Sequence, residues 1–212
     1  MNFKTTYLFF GILGAVVVAL VLVVALNPPK AIDQTYLFPS LHDPRDPVAA
    51  KDIDGVTITR TEPRAEKIVF ARDKDDGRWR MTEPFALREY RVDRNAVDRL
   101  VDEVMDAKRD EHAQAGSDLK QYGLDNPAVV VTIEKGGKKW TVSLGKKFET
   151  TGKQTGVVYA LSSEQPKQAL EVKLSQLDAA YKEANDFRDK QLLADSPSDI
   201  QSVSLQDGKH ET

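Results

Sequence analysis

From residue 7 to residue 26 the chain reads YLFFGILGAVVVALVLVVAL, twenty residues without a single charge. At about 1.5 Å of rise per residue, such a run makes roughly 30 Å of helix, the thickness of a bilayer's hydrocarbon layer. Backbone amides find no partner in lipid, so a run that enters a bilayer must be helical. The run therefore predicts one N-terminal transmembrane helix carrying one extramembrane body. It is longer than the apolar core of a cleaved signal peptide, about 7–15 residues, and Asn27-Pro28-Pro29 makes a poor cleavage site. The reading is a retained signal-anchor. Gly11, Ala15 and Ala19 form a stripe of small side chains along it and are the candidates for contact with another membrane helix. Lys4 before the run is nearly balanced by Lys30 and Arg45 after it. The very short tail before the run favours a cytoplasmic N-terminus and a main domain outside the cytoplasm.

The remainder is long enough for one domain with a real core. The 30 Lys and Arg against 33 Asp and Glu leave a net charge of −3, without the basic excess that nucleic acid selects. There is no cysteine, hence no disulfide frame, thiol nucleophile or thiolate metal site. Four segments follow from the patterning: 1–26 as tail and anchor, 27–55 as a Pro-rich connector, 56–198 as an α+β extramembrane domain, and 199–212 as the start of a second module copy. Five prolines forbid continuous helix or central strand in the connector. Within it Tyr36, Leu37 and Phe38 form an apolar island, read either as a cluster resting on the domain or bilayer or as a partner contact.

Alternating apolar and polar residues predict strands over 56–59, 67–72 and 78–81, with the acidic DKDDG run at 73–77 as a turn. Val97, Leu100, Val101, Val104 and Met105 recur at helical spacing, with Asp93 placed to cap the helix. A short helix over 118–122 is closed by Gly123. Strands are then predicted over 129–134, 139–144 and 157–161, with Gly136-Gly137 as a tight turn. Ser175 with Asp178 resembles a capping box opening a second helix through Leu177, Ala180, Tyr181 and Ala184. The fold class is therefore α+β: a strand-strand-strand-helix pattern twice, in antiparallel sheet with helices on one face. Asp199-Ile200-x-x-Val203-x-Leu205 echoes Asp52-Ile53-x-x-Val56-x-Ile58, which suggests a repeat cut short at residue 212.

Concentrated chemistry is missing from the sequence. His42, His112 and His210 lie far apart and without metal-ligand spacing. The DKDDG run lacks the ligand pattern of a calcium loop. No nucleophile elbow, phosphate loop or dinucleotide fingerprint occurs. The expectation is a protein that is not an enzyme, with no catalytic, metal or cofactor-binding residues and no cofactor. Trp79 and Trp140 would be the stacking residues of a ligand-binding envelope module, although strand positions favour core packing for both.

Several landmarks resemble a bacterial domain-of-unknown-function family: Trp79…Pro84, Tyr122-Gly123-Leu124-Asp125-x-Pro127, Leu144-Gly145, Tyr159 and Phe187-Arg188-Asp189-Lys190. Its members are single-span envelope proteins, often encoded beside ABC-2 type transporter permeases and gliding-motility-type auxiliary proteins. The resemblance implies a single-pass protein of the bacterial inner membrane with its main domain in the periplasm. It implies an accessory or interaction subunit of an ABC-type transport system. The partners would be the lipid bilayer and other integral membrane proteins, whether permease or complex subunits, and not nucleic acid. The family has no established catalytic residues, so the resemblance carries none over. The competing reading is a scaffold subunit of another integral assembly, respiratory or photosynthetic.

Overall fold

A computed structural model describes residues 13–14, 16–18, 33–61, 64–110, 116–145, 149–150, 153–154 and 156–190. Seven strands build one sheet: β1 (Gly55–Arg60), β2 (Glu66–Arg72), β3 (Trp79–Glu83), β4 (Val129–Lys135), β5 (Lys138–Leu144), β8 (Val157–Ser162) and β9 (Gln165–Lys173). Two short strands, β6 (Glu149–Thr150) and β7 (Lys153–Gln154), pair with each other as a separate ribbon. The order in the main sheet is β3-β2-β1-β4-β5-β8-β9, antiparallel throughout. One meander runs outward from β1 and a second outward from β4. They join where β1 and β4 lie side by side, with Ile58 opposite Val131.

Alternation decides which face is covered. Val56 and Ile58 of β1, Ile68 and Phe70 of β2, and Val131 and Ile133 of β4 are fully buried. Their neighbours Thr57, Val69 and Thr132 on the opposite face are only half-buried. The buried face carries the one complete α-helix among the described residues, α1 (Arg94–Asp106). Asp93 caps it by accepting from the amides of Asn95 (2.9 Å) and Ala96 (3.4 Å). Thirteen residues are marginal as an isolated helix, so packing must hold this one. Val97, Leu100, Val101 and Val104 are fully buried against the sheet, each worth roughly 1.5–3 kcal/mol of burial.

The fold class needs correction. The two halves are one continuous sheet, and the second half is a four-stranded meander with no α-helix among its described residues. Where the second helix was expected, the chain makes three 3-10 turns: Leu174–Gln176, Asp178–Tyr181 and Ala184–Phe187. Leu174, Leu177 and Ala180 recur every third residue, which is the 3-10 period. Glu103 of α1 accepts from the amide of Ala179 at 2.8 Å, so tertiary contact claims an amide that an α-helix starting at Ser175 would have bonded to the Ser175 carbonyl. The expected short helix over 118–122 is likewise only a turn, although Gly123 closes it with φ +66° as the pattern required.

The expected transmembrane helix is also absent from the observed elements. Among the described residues no helix is long and apolar enough to cross a membrane. Most of residues 7–26 lies outside the described residues, including Gly11, Ala15 and Ala19; Leu13, Gly14 and residues 16–18 are helical and exposed. The echo at 199–212 lies outside them too.

Residues 33–54 are not a free tether. Leu37, Phe38, Leu41 and Ile53 insert into the core. The Leu37 amide donates to the Ala107 carbonyl at 2.9 Å, just past the end of α1. The Leu37 carbonyl accepts from the buried Ser162 hydroxyl at 2.5 Å. The Trp140 indole donates to Ser40 Oγ at 3.0 Å. A strap held by these core side chains and hydrogen bonds behaves as part of the domain.

Candidate functional site

Arg60 ends β1 on the buried side of the sheet. Val56 and Ile58 set the alternation, and the third residue of that series is a guanidinium that is only 5% exposed. Its Nη2 donates to the carbonyl of Lys182, in the loop between two of the 3-10 turns. Nη1 lies 3.7 Å from Glu66 Oε2, close enough for charge attraction but too long for a hydrogen bond. Nε is buried and has no hydrogen-bond partner among the described residues. A buried donor left unmade costs about 1–3 kcal/mol, so this residue is held against its own solvation preference.

Arg60 opens onto a cleft of about 460 Å³ at the end of the sheet where β1, β2 and β3 finish or begin. Arg64, Ala65, Glu66 and Lys67 form one wall, Pro84 a second, and Glu183, Ala184 and Asn185 the third. Lys67 is engaged, its Nζ donating to Glu83 at 3.0 Å. Arg64 is exposed and makes no hydrogen bond or ion pair among the described residues.

Pro84 also begins an exposed ledge. Phe85 is 69% and Tyr90 48% exposed, the largest apolar exposures of the sheet-bearing body. Each ring carries a cation. The Arg88 guanidinium sits 3.8 Å from the Phe85 ring centroid and that of Arg188 3.4 Å from the Tyr90 centroid. Arg188 also donates to Asn185 Oδ1 at 3.1 Å, which ties ledge to cleft. Val92 and Arg188 form an isolated antiparallel bridge, and the Asp189 amide donates to the Arg91 carbonyl at 2.8 Å. The end of the segment, at Arg91 and Val92, is thus pinned to Arg188 and Asp189 by backbone bonds, while Phe85 and Tyr90 face solvent.

The residues singled out from sequence go elsewhere. Leu37 and Phe38 are fully buried and present no side chain to a partner, so the island rests on the domain. Tyr36 is half-buried, stacked on His42 at 3.7 Å with Lys108 over its ring. His42 donates from Nε2 to the Met105 carbonyl at 2.9 Å; His112 and His210 lie outside the described residues. Trp79 and Trp140 are core residues and offer no stacking platform. Among the described residues no three His, Cys, Asp or Glu side chains are placed to hold a metal.

The landmark residues are architectural. Trp79 donates from its indole to Asp98 of α1 at 2.8 Å, and Arg72 covers the same ring at 4.3 Å. Burial pushes the Asp98 carboxyl up, but bonds from Trp79 and Arg94 and the charges of Arg72 and Arg94 outweigh it and hold it low. Gly145 has no room for a side chain, because a Cβ there would overlap the Tyr122 carbonyl oxygen. Tyr122 and Tyr159 have ring centroids 4.3 Å apart, and Tyr181 donates to the Gly145 carbonyl at 3.1 Å. Burial pushes the Tyr181 hydroxyl well above its ordinary value, so it remains a donor. The Tyr-Gly-Leu-Asp-x-Pro string therefore closes one end of the sheet against the Leu-Gly string.

Sequence reasoning missed Arg60 and the ledge. The signal for Arg60 was a charge falling in phase with Val56 and Ile58; for the ledge it was alternating aromatics and arginines after Pro84.

The profile of a family described as a domain of unknown function, DUF4340, matches residues 79–212. No curated protein and no solved structure matches the chain.

Proposed function

The chain belongs to the DUF4340 family, and from that premise we propose that it is a non-catalytic interaction module, an accessory subunit of a membrane-protein complex in the bacterial envelope. The complex is an ABC-type transport system, and the module works on the periplasmic side of the inner membrane. The observation that carries this is the ledge at 84–91. Exposed Phe85 and Tyr90, each stiffened by an arginine, have the aromatic and Arg composition of protein-interface hot spots. Backbone pinning at Val92 and Asp189 limits the ordering entropy lost at the Tyr90 end of the ledge on docking. Support for the transport assignment comes from the family resemblance and from the uncharged run at 7–26, a sequence feature that favours a lipid-proximal setting. The proposal requires contact with a membrane assembly; it does not require this chain to cross the bilayer.

Affinity purification in mild detergent from the native host tests it. The expected result is co-recovery of a permease and its ATPase, lost in a Phe85→Ala/Tyr90→Ala variant that keeps its unfolding midpoint. Recovery with a respiratory or photosynthetic complex would transfer the module to the scaffold class. Recovery of the transport proteins undiminished by the double variant would remove the ledge from the account.

A further inference from the structure

We propose that the cleft at Arg60 is a binding site for a small carboxylate with a short apolar body. Three features of the cleft lead there. First, Arg60 is a deeply buried cation whose hydrogen-bonding capacity is largely unused. Among the described residues only Nη2 of its three nitrogens has a hydrogen-bond acceptor, and the one carboxylate near Nη1 stands 3.7 Å away. A planar guanidinium with donors to spare is matched by an oxyanion more closely than by water. Second, Arg64 stands at the same cleft and is unpaired among the described residues, so a second cation is available to the same anion.

Third, the walls select among anions. Glu66 and Glu183 also line the cleft, and their charges oppose a dianion such as phosphate more than a monoanion. Ala65, Pro84 and Ala184 supply apolar surface for a few methylenes. A volume of about 460 Å³ lies in the range of small-molecule sites and exceeds what a single ion needs. The ligand carboxylate takes the Nη1 donors that Glu66 approaches without bonding, and the ligand's body lies against Pro84 and Ala184.

This site stands independently of the ledge as a protein contact, since neither Phe85 nor Tyr90 lines the cleft. Its test uses the whole chain, ¹⁵N-labelled, titrated with butyrate and in parallel with inorganic phosphate. Butyrate is expected to give saturable amide shifts at Ala65, Lys67 and Asn185, and phosphate to bind at least fivefold more weakly. Arg60→Met is expected to weaken butyrate binding at least tenfold. Arg60→Lys, which keeps the charge and loses the planar fork, serves if the Met variant does not fold, with an expected weakening of at least threefold. Non-saturating or scattered shifts with butyrate would overturn the proposal. So would phosphate binding as tightly as butyrate, or butyrate affinity unchanged by both Arg60 variants.

Discussion

Removing the Asp98 carboxylate should loosen α1 from the sheet more than any other single surface change. This one group accepts from the Trp79 indole at 2.8 Å, from Arg72 at 3.2 Å and from Arg94 at 3.1 Å. In Asp98→Ala the Trp79 N–H is left inside a residue only 4% exposed, at a cost of about 1–3 kcal/mol. Arg72 keeps the Ile53 carbonyl at 3.0 Å but loses its one ion-pair partner among the described residues. The Arg94 pair is exposed and i,i+4, worth about 0.3–0.5 kcal/mol. Because Asp98 is a third exposed, water recovers part of the loss, and the total is about 3 kcal/mol. Urea unfolding followed by tryptophan fluorescence reads this directly, with Arg94→Ala as the control at no more than about 0.5 kcal/mol. Asp98→Asn keeps an acceptor for the indole and should cost about half as much as Ala.

The pH dependence carries a second check on the same residue. The folded-state carboxyl is held below its ordinary value. Its contribution is therefore complete at neutral pH and is lost as pH falls through that depressed value, so the gap between wild type and Asp98→Asn should close in acid. Asp98→Ala within about 1 kcal/mol of wild type, or Arg94→Ala costing as much, would refute the reasoning.

Gly145→Ala should cost about 3 kcal/mol in the same assay, because the added methyl meets the Tyr122 backbone, which cannot move aside. Gly137→Ala, at a φ of +86° but in open space, should cost only about 1 kcal/mol. Asp93→Ala should lose about 1 kcal/mol by uncapping α1, with no change in the m-value. Leu37→Ala should cost about 2–5 kcal/mol in thermal or urea unfolding; a negligible effect would show that the strap is not part of the core.

Six of the main strands and α1 were legible because each is amphipathic over its own length, as in Val56-Thr57-Ile58 and Val97-x-x-Leu100-Val101. β9 was not. It begins Gln165-Pro166-Lys167-Gln168 and buries only Ala169, Leu170 and Val172, a pattern tolerable at a sheet edge but silent as a strand signal. The second helix failed for a different reason: its apolar residues fit both periods, and the Ala179 amide goes to Glu103, seventy-six positions away, a long-range bond that local pattern does not show. The joining of two meanders through β1 and β4 is a long-range pairing that local pattern does not encode. Arg60 was invisible for the opposite reason, since a charge in phase with a buried face reads as a strand end until the partner loop at Lys182 is seen.

A photo-crosslinking amino acid placed at residue 85 in living cells, with a matched one at residue 57 on the open sheet face, tests the interaction role most directly. Adducts to permease or ATPase subunits are expected from position 85 and none from position 57. Equal labelling at both positions, or adducts from neither in cells that express the transport complex, would contradict it.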